Sequence, residues 1–443
     1  MIDFKLLRKH REFIEHVGAI VSGRSIAAVV GLLVTPVVAR LFSPADFGVA
    51  ASFLALAAMA VPVASLRYDA ALALPRTEQE ALLLAALCYR ILPVFCVLLF
   101  GVIALLAVNA SGWRTLELIG AWIWVLPFTL FLMGAQDIQE SWLARTKSFG
   151  VISRSVVVET TLGGAARIAF GAVAGTSVYG LILGHLVGVV GRLILQGRAG
   201  AESLRATFRR IEWPKLREVA RRYADFPRLN APAGLVYTVG QNLPVLMFGL
   251  MYSASTAGFF AMANRLARIP VQIVATSVRR VYLQKAANIH NSGRSLRRSF
   301  VLATFGLLAI GLVPCFAIWM YGQSLLVWLL GDQWNSAGRF LEIIAPWVLI
   351  AWVSSPCNAI FVVLRKQDYW LKLQIILTPV RLSAFVAGYK LALGAEQTLG
   401  LFVLLAVLAN VVTIMIALFL AGSTVLPPKS GAAIPNHDKE TWQ

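Results

Sequence analysis

The stretch AGFFAMANRLARIPVQIVATSVRR, residues 257–280, decides the class of this protein. It is apolar and longer than the roughly 20 residues that a helix needs to cross a bilayer, yet Arg265 and Arg268 lie inside it. A charge at the bilayer centre costs about 3 kcal/mol or more unless a partner or water compensates it. Helical periodicity places five polar residues on one face: Arg265, Arg268, Gln272, Thr276 and Arg279. This face must contact protein or water rather than lipid.

The composition of the whole chain also indicates a membrane protein. Of its 443 residues, 58% are hydrophobic and only 14% are charged, and the mean hydropathy is +0.74. Soluble proteins average about 25% charged residues, so a soluble globule of this composition could not cover its surface. The four cysteines lie in or beside apolar runs and fit neither a metal site nor a disulfide framework. We therefore expect them to be packing residues: Cys88, Cys96, Cys315 and Cys357.

Twelve stretches are long and apolar enough to cross a membrane, so the sequence predicts an all-α, polytopic membrane protein. The expected fold has about 12 transmembrane helices in two pseudo-symmetric six-helix lobes around a central cationic cavity. The predicted spans are 17–41, 46–66, 81–107, 117–136, 151–173, 177–196, 229–250, 255–278, 300–322, 340–364, 371–393 and 398–421.

The basic residues predict the orientation of these spans. Nine Lys or Arg lie in 197–228, six in 279–298 and four at the N-terminus, all on the same side of the predicted bilayer. The positive-inside rule makes that side cytoplasmic, together with both termini. The net charge of +19 is then explained by a face that contacts anionic membrane lipids, and no nucleic-acid partner is expected.

An internal repeat supports the division into two lobes. Ser43 to Gly48 and Ser253 to Gly258 have the same spacing, and each pair opens an apolar helix that ends in an arginine. Parallel-repeat transporters are built in this way. The predicted organisation is an amphipathic N-terminal segment 1–16, an N-lobe 17–196, a basic cytoplasmic linker 197–228, a C-lobe 229–422 and a cytoplasmic tail 423–443.

Polar residues inside other spans extend the candidate site. Arg24 and Thr35 share a face of the first span. Intramembrane arginines outnumber acids, and arginine favours phosphate or carboxylate through bidentate hydrogen bonds. The candidate substrate-binding residues are Arg24, Arg265, Arg268, Gln272, Asn230, Tyr237 and Gln241.

Structural explanations compete for several of these polar residues. Arg24 could extend its side chain to the cytoplasmic interface instead of lining a cavity. Glu159 and Arg167, both in the fifth span, could compensate one another's charge. His185 lies in GLILGHLVG, residues 180–188, whose glycines form a ridge that favours close helix packing over chemistry.

No catalytic motif is evident in the sequence. There is no Gly-rich phosphate loop of the Walker type, and the five histidines are scattered without paired ligands. The external loops are short by this span assignment. We therefore expect a protein that is not an enzyme and that has no cofactor or metal.

Four stretches resemble one known family, the Wzx-type oligosaccharide flippases of the multidrug/oligosaccharidyl-lipid/polysaccharide (MOP) exporter superfamily. LFSPADFGVAASFLALAAMAVPVASLRYDAALALPRTEQEA, residues 41–81, resembles the first helical hairpin of that family. The other similar stretches are 222–249, 257–287 and 329–347, in the same order as in the family. The resemblance covers most of the chain but does not distinguish the sugar that is carried.

The resemblance implies a transporter of undecaprenyl-diphosphate-linked oligosaccharide, a repeat unit of O-antigen, exopolysaccharide or capsule. It would move this substrate from the cytoplasmic to the periplasmic leaflet of the bacterial inner membrane by alternating access. Arg24, Arg265 and Arg268 would bind the diphosphate, and other polysaccharide assembly proteins would be further partners.

Two other functions stay open at this point. A cation-coupled drug exporter of the same superfamily would need a titratable carboxylate, for which Asp46, Asp137 and Glu159 are the candidates. A membrane enzyme of polysaccharide assembly is less compatible with the short external loops.

Overall fold

A computed structural model describes the backbone of residues 4–109, 114–173, 177–208, 213–364 and 366–422. It describes the side chains of these residues except 4–22, 108–109, 114–116, 200–208, 269–281, 291 and 367. The side chains of the predicted segment 1–16, the candidate residue Gln272 and the tail 423–443 lie outside the described part.

The described residues are almost entirely helical and contain no strand. Short 3-10 segments at Gly120–Val125 and Asp332–Trp334 and a π-helical turn at Phe226–Asn230 join or extend the α-helices. The α-helices are α1 (Phe4–Leu41), α2 (Pro44–Ala64), α3 (Tyr68–Ala71), α4 (Glu78–Asn109), α5 (Arg114–Ile119), α6 (Leu126–Arg145), α7 (Phe149–Val173), α8 (Val178–Phe208), α9 (Trp213–Arg222), α10 (Ala231–Met251), α11 (Ala254–Asn291), α12 (Arg297–Leu330), α13 (Asn335–Val353), α14 (Cys357–Val363), α15 (Gln367–Lys390) and α16 (Ala395–Gly422).

The helices confirm a multi-pass membrane protein. Within the described residues, 11 helical stretches are long and apolar enough to cross a membrane, and each overlaps one predicted span. The remaining predicted span, 255–278, lies in α11, a continuous helix of 38 residues. The side chains of 269–281 are outside the described part, so α11 is not among these 11 stretches. About 12 transmembrane helices therefore agree with the structure.

The turn FSPAD between α1 and α2 owes its sharpness to a capping box. The Ser43 hydroxyl accepts a hydrogen bond from the Asp46 backbone N–H at 3.2 Å, and the Asp46 carboxylate accepts one from the Ser43 N–H at 3.1 Å. Pro44 occupies the first helical position, where its missing N–H costs nothing. Asp46 is thus a structural residue of the helix start.

The chain divides into two compact units. The first unit comprises Met1–Arg265 with Gly322–Phe340, and the second comprises Leu266–Tyr321 with Leu341–Gln443. In the first unit, the indole N–H of the fully buried Trp334 donates to the Ala39 carbonyl at 2.8 Å, which anchors the later segment beside α1. The predicted lobes, which divide the chain at 197–228 instead, stay a prediction.

The two repeated Ser-to-Gly segments meet directly inside the first unit. A Cβ added to Gly48 would overlap the carbonyl oxygen of Ala254 and lie 2.8 Å from the Gly258 nitrogen. A Cβ added to Gly258 would overlap the carbonyl oxygen of Pro44 and lie 3.1 Å from the Gly48 nitrogen. The contacts are reciprocal, so the starts of α2 and α11 cross backbone to backbone, and only glycine permits that approach.

A second close crossing joins α7 and α8 and confirms the packing interpretation of the glycine ridge. A Cβ on Gly188 would lie 3.1 Å from the Gly163 Cα, and one on Gly163 would lie 3.2 Å from the Gly184 carbonyl oxygen. His185 belongs to this ridge, and its Nε2 is buried with no hydrogen-bond partner in the described residues. The cysteines likewise are free, and Cys88, Cys96 and Cys357 are buried.

The basic linker contributes a helix that packs on the first unit. Leu216 and Val219 of α9 are buried in a core cluster with residues of α4 and α6. At the end of α9, Arg222 forms an ion pair with Glu80 at 2.8 Å, and the Tyr223 hydroxyl donates to the same carboxylate. Burial raises the pKa of the Tyr223 phenol, and the Glu80 carboxylate raises it further. The linker is therefore fixed to the ends of the neighbouring helices.

Candidate functional site

The intramembrane part of the first unit contains a charge cluster centred on Arg192. The side chain of Arg192, on α8, is 9% exposed and binds two carboxylates. Its Nη1 lies 2.6 Å from Glu159 Oε2 on α7, and its Nη2 donates to Glu140 Oε2 on α6. The Arg192 guanidinium thus links α6, α7 and α8. Its two carboxylate partners supply the attraction and hydrogen bonds that a buried charge needs to offset its desolvation cost.

Arg24 of α1 joins this cluster from its exposed side. Its Nη2 donates to Glu140 Oε1 at 3.2 Å, while the side chain stays 62% exposed. Arg24 therefore has a carboxylate partner, yet most of its guanidinium is open to other contacts. An exposed pair of this kind contributes only about 0–1 kcal/mol, so an incoming anion could compete for Arg24 at little cost.

A cavity of about 140 Å³ in the first unit is lined by two further arginines. Arg167 of α7 and Arg265 of α11 both line it. Its other walls are mainly apolar and come from α1, α2, α8 and α11, with Val38, Phe47 and Leu181 among them.

Neither arginine in the cavity has a partner within the described residues. No hydrogen bond or ion pair ties Arg167 or Arg265 to the described part of the chain, and Arg265 is exposed in spite of its position well inside a span. The carboxylate of Glu159, the nearest acid in sequence to Arg167, forms an ion pair with Arg192. Two guanidinium groups that line one cavity without a hydrogen-bonded ion pair in the described residues favour an anion as occupant.

The predicted polar face of α1 points towards this cavity. A Cβ on Gly31 would lie 3.8 Å from the Arg265 Nη2, and Thr35 lines the cavity. The Thr35 hydroxyl donates to the Gly31 carbonyl at 2.5 Å, so its own polar group is satisfied within the helix. The structure thus places Thr35 and Arg265 in the lining of the same cavity.

The other candidate residues lie elsewhere. Arg268 belongs to the second unit, where its guanidinium carbon lies 5.7 Å from the centre of the Trp347 ring. Asn230 and Tyr237 are exposed on the first unit, and Gln241 is half-buried and has an interaction of its own. None of these three lines the cavity that holds Arg265.

Glu159 makes no direct ion pair with Arg167 among the described residues, and its carboxylate is bound by Arg192 instead. Eight residues of helix also separate the two by about 12 Å along the axis, which is too far for direct pairing. The sequence reasoning missed Arg192 and Glu140, although both are charged residues within or next to predicted spans.

The described residues contain no group of three or more His, Cys, Asp or Glu that could hold a metal ion. The cavity of the first unit offers guanidinium groups for an anion, with apolar surface around them.

Comparison with known proteins identifies relatives of this arrangement. Residues 37–339, more than half of the chain, match the model of a family described as "Polysaccharide biosynthesis protein". No curated protein matches the chain.

Solved structures with the same fold include a lipid II flippase, MurJ, in an inward closed conformation. Its TM-score is 0.68 at 11% identity, and 90% of this chain and 86% of that chain are covered. A multidrug resistance MATE family transporter of the MOP superfamily, facing inward, has a TM-score of 0.61 at 15% identity, with 90% and 94% covered. A MOP superfamily transporter from Pyrococcus furiosus has a TM-score of 0.58 at 14% identity, with 92% and 95% covered. At these identities the structures establish the fold alone.

Proposed function

This chain belongs to the polysaccharide biosynthesis protein family, and from that premise we propose that it is a flippase for polyprenyl-diphosphate-linked oligosaccharide. It moves a repeat unit of O-antigen, exopolysaccharide or capsule from the cytoplasmic to the periplasmic leaflet of a bacterial inner membrane, with both termini in the cytoplasm. The transport step is alternating access, and the protein acts without enzymatic chemistry.

The observation that carries this proposal is Arg265 in the cavity of the first unit. The head group of a polyprenyl-diphosphate-linked sugar combines two phosphates with a polar glycan, and uncompensated guanidinium groups bind phosphate through planar, bidentate hydrogen bonds. Arg265 is exposed within a span and has no partner in the described residues. A cationic substrate would be repelled at the same place.

The remaining candidate residues receive roles in the same proposal. Arg24 and Arg268 assist in holding the diphosphate. Four polar side chains hydrogen-bond the sugar or phosphate: Asn230, Tyr237, Gln241 and Gln272. Anionic lipids contact the basic linker, and other polysaccharide assembly proteins supply and remove the substrate.

The names of the structural relatives are compatible with this substrate class. One is a lipid II flippase, and the family description refers to polysaccharide biosynthesis. The other relatives include MATE family multidrug transporters, so the fold by itself does not separate a glycolipid from a drug.

The decisive test is complementation of a flippase-deficient bacterial strain that makes defined lipid-linked glycans. We expect the wild-type chain to restore surface polysaccharide with at least one glycan and Arg265→Ala to abolish that restoration at equal protein abundance. Arg265→Lys should restore only part, because lysine lacks the planar fork. Arg154→Ala, an exposed arginine on α7, is the matched control and should behave as wild type.

The drug-exporter alternative depends on a carboxylate that can gain and lose a proton or bind a cation. Asp46 closes the cap of α2, and Glu159 is bound by Arg192, so Asp137 is the candidate that stays without a hydrogen bond in the described residues. If the chain raises the resistance of a susceptible strain to cationic drugs, with loss in Asp137→Asn, and restores no polysaccharide, the flippase proposal is wrong.

A further inference from the structure

We propose that Arg167 and Arg265 together form the diphosphate subsite of the first unit, with Arg167 as a binding residue in its own right. This inference rests on the proposed function for the identity of the ligand. It rests on the structure for the choice of residues, since Arg167 lines the cavity while the Glu159 carboxylate is bound by Arg192.

Arg24, Arg192, Arg167 and Arg265 differ in whether they form ion pairs in the described residues. Arg192 binds Glu140 and Glu159, and Arg24 also binds Glu140, so two arginines and two glutamates form a neutral cluster. Arg167 and Arg265 stay outside that cluster. They are the charged side chains among the residues that line the cavity, and a ligand with at least two negative charges, such as a diphosphate, would match them.

The packing of α7 against α8 positions Arg167 and leaves it little freedom. A Cβ on Gly184 would overlap the Arg167 Cγ and lie 2.9 Å from the Arg167 backbone nitrogen. The base of the Arg167 side chain therefore lies in the groove that the glycine ridge creates. A side chain held at its base presents its guanidinium in a limited set of positions, which reduces the entropy that ligand binding must overcome.

No carboxylate is among the described residues that line the cavity. Its lining consists of the two arginines, the hydroxyl of Thr35 and apolar side chains, within the described residues. Thr35 donates its hydrogen to Gly31 and keeps a free lone pair, so the arginines are the lining side chains with hydrogens to donate to a ligand. Each guanidinium can take one phosphate group, because each offers a planar fork.

The test measures binding to the full chain in nanodiscs of zwitterionic phosphatidylcholine. The probes are farnesyl diphosphate, farnesyl monophosphate, farnesol and inorganic diphosphate. The variants are Arg167→Gln, Arg167→Lys and Arg154→Gln, the last being an exposed arginine on the same helix. Size-exclusion profiles and circular dichroism show whether each variant is folded.

We expect Arg167→Gln to weaken farnesyl diphosphate binding about ten- to hundredfold, since a hydrogen bond to a charged group contributes about that factor. Arg167→Lys should lie between Gln and wild type, and Arg154→Gln should match wild type. The monophosphate should bind more weakly to wild type and lose less on substitution, because Arg265 alone can hold one phosphate. Farnesol should show no dependence on Arg167.

Two competition experiments distinguish a diphosphate head group from a phospholipid head group as the ligand. Inorganic diphosphate should displace farnesyl diphosphate from wild type and do so poorly in Arg167→Gln, which would show that the head group is recognised. If phosphatidylglycerol added to the nanodisc displaces farnesyl diphosphate equally well, the cavity is a phospholipid site and the diphosphate assignment is overturned. Unchanged affinity for farnesyl diphosphate in folded Arg167→Gln and Arg167→Lys also overturns it.

Failure of this inference can be told apart from failure of the proposed function. If wild type complements the flippase-deficient strain and Arg167→Gln complements and binds equally, the subsite is wrong and the function stands. If wild type binds farnesyl diphosphate through Arg167 but restores no polysaccharide with any glycan, the subsite stands and the proposed function is wrong.

Discussion

Substitution of Gly48 by alanine should open the crossing between α2 and α11. The added Cβ would overlap the carbonyl oxygen of Ala254 and lie 2.6 Å from its carbonyl carbon. That distance is 0.8 Å short of the 3.4 Å at which ordinary contact begins. The neighbouring atoms are backbone rather than the end of a flexible side chain, so the helices themselves must move apart.

The free-energy cost follows from that displacement. Extra methyl groups in a packed interior cost about 1–3 kcal/mol when the surroundings must shift, and this site is at the upper end because backbone opposes backbone. Gly258→Ala should cost a similar amount, since its Cβ would overlap the Pro44 carbonyl oxygen. The double variant should cost clearly less than the two single variants combined, because the first methyl group already separates the helices.

The assay is thermal unfolding of the purified chain in detergent, followed by intrinsic fluorescence, together with protein abundance in the membrane. Gly101→Ala on α4 is the matched control, since a Cβ there meets nothing within 4 Å. It should be neutral or stabilise the helix by up to about 1 kcal/mol. The reasoning is refuted if Gly48→Ala unfolds at the wild-type temperature, or if the two single effects simply add in the double variant.

Three other predictions concern charge and access. Arg192→Met should lower the unfolding temperature strongly, since loss of one partner from a buried ion pair costs about 3–5 kcal/mol. An unchanged unfolding temperature would show that Glu140 and Glu159 do not need Arg192 to compensate their charge. Single cysteines at 205–220 should resist an impermeant thiol reagent applied from the periplasm of intact cells, and strong labelling there would contradict the predicted orientation. A cysteine at position 272, in a cysteine-free background, should react with such a reagent at a rate that substrate changes; a position that is inert in every condition of a working transporter is a packed face.

Local features of the fold were predictable from the sequence because they depend on neighbours in the chain. The apolar stretches give the helices, and Ser43 with Asp46 gives the cap at the start of α2. The repeated Ser-to-Gly spacing pointed to equivalent helix starts. It did not reveal that Gly48 and Gly258 touch, since contact between residues about 200 positions apart depends on tertiary packing.

The partners of the intramembrane charges were not predictable in the same way. Arg192 binds glutamates that lie 52 and 33 positions away on two other helices. Only the packing of α6, α7 and α8 selects these partners over nearer charges. Helix geometry alone could have excluded the Glu159–Arg167 pair, because eight residues correspond to about 12 Å of rise.

Arg265 and Arg268 show why position along a helix does not assign a role to an intramembrane arginine. Arg268 lies over the ring of Trp347 and has further interactions of its own. A cation–π contact contributes about 0.5–2 kcal/mol, less than the roughly 3 kcal/mol or more that a charge costs at the bilayer centre, so those further interactions are needed for its stability. Arg265 has neither a ring nor a carboxylate as partner in the described residues, and we infer that water or a ligand compensates its charge. Water alone would stabilise the charge equally well with lysine at position 265, whereas a diphosphate would not. The activity of Arg265→Lys relative to Arg265→Ala therefore measures how much of the compensation belongs to the ligand.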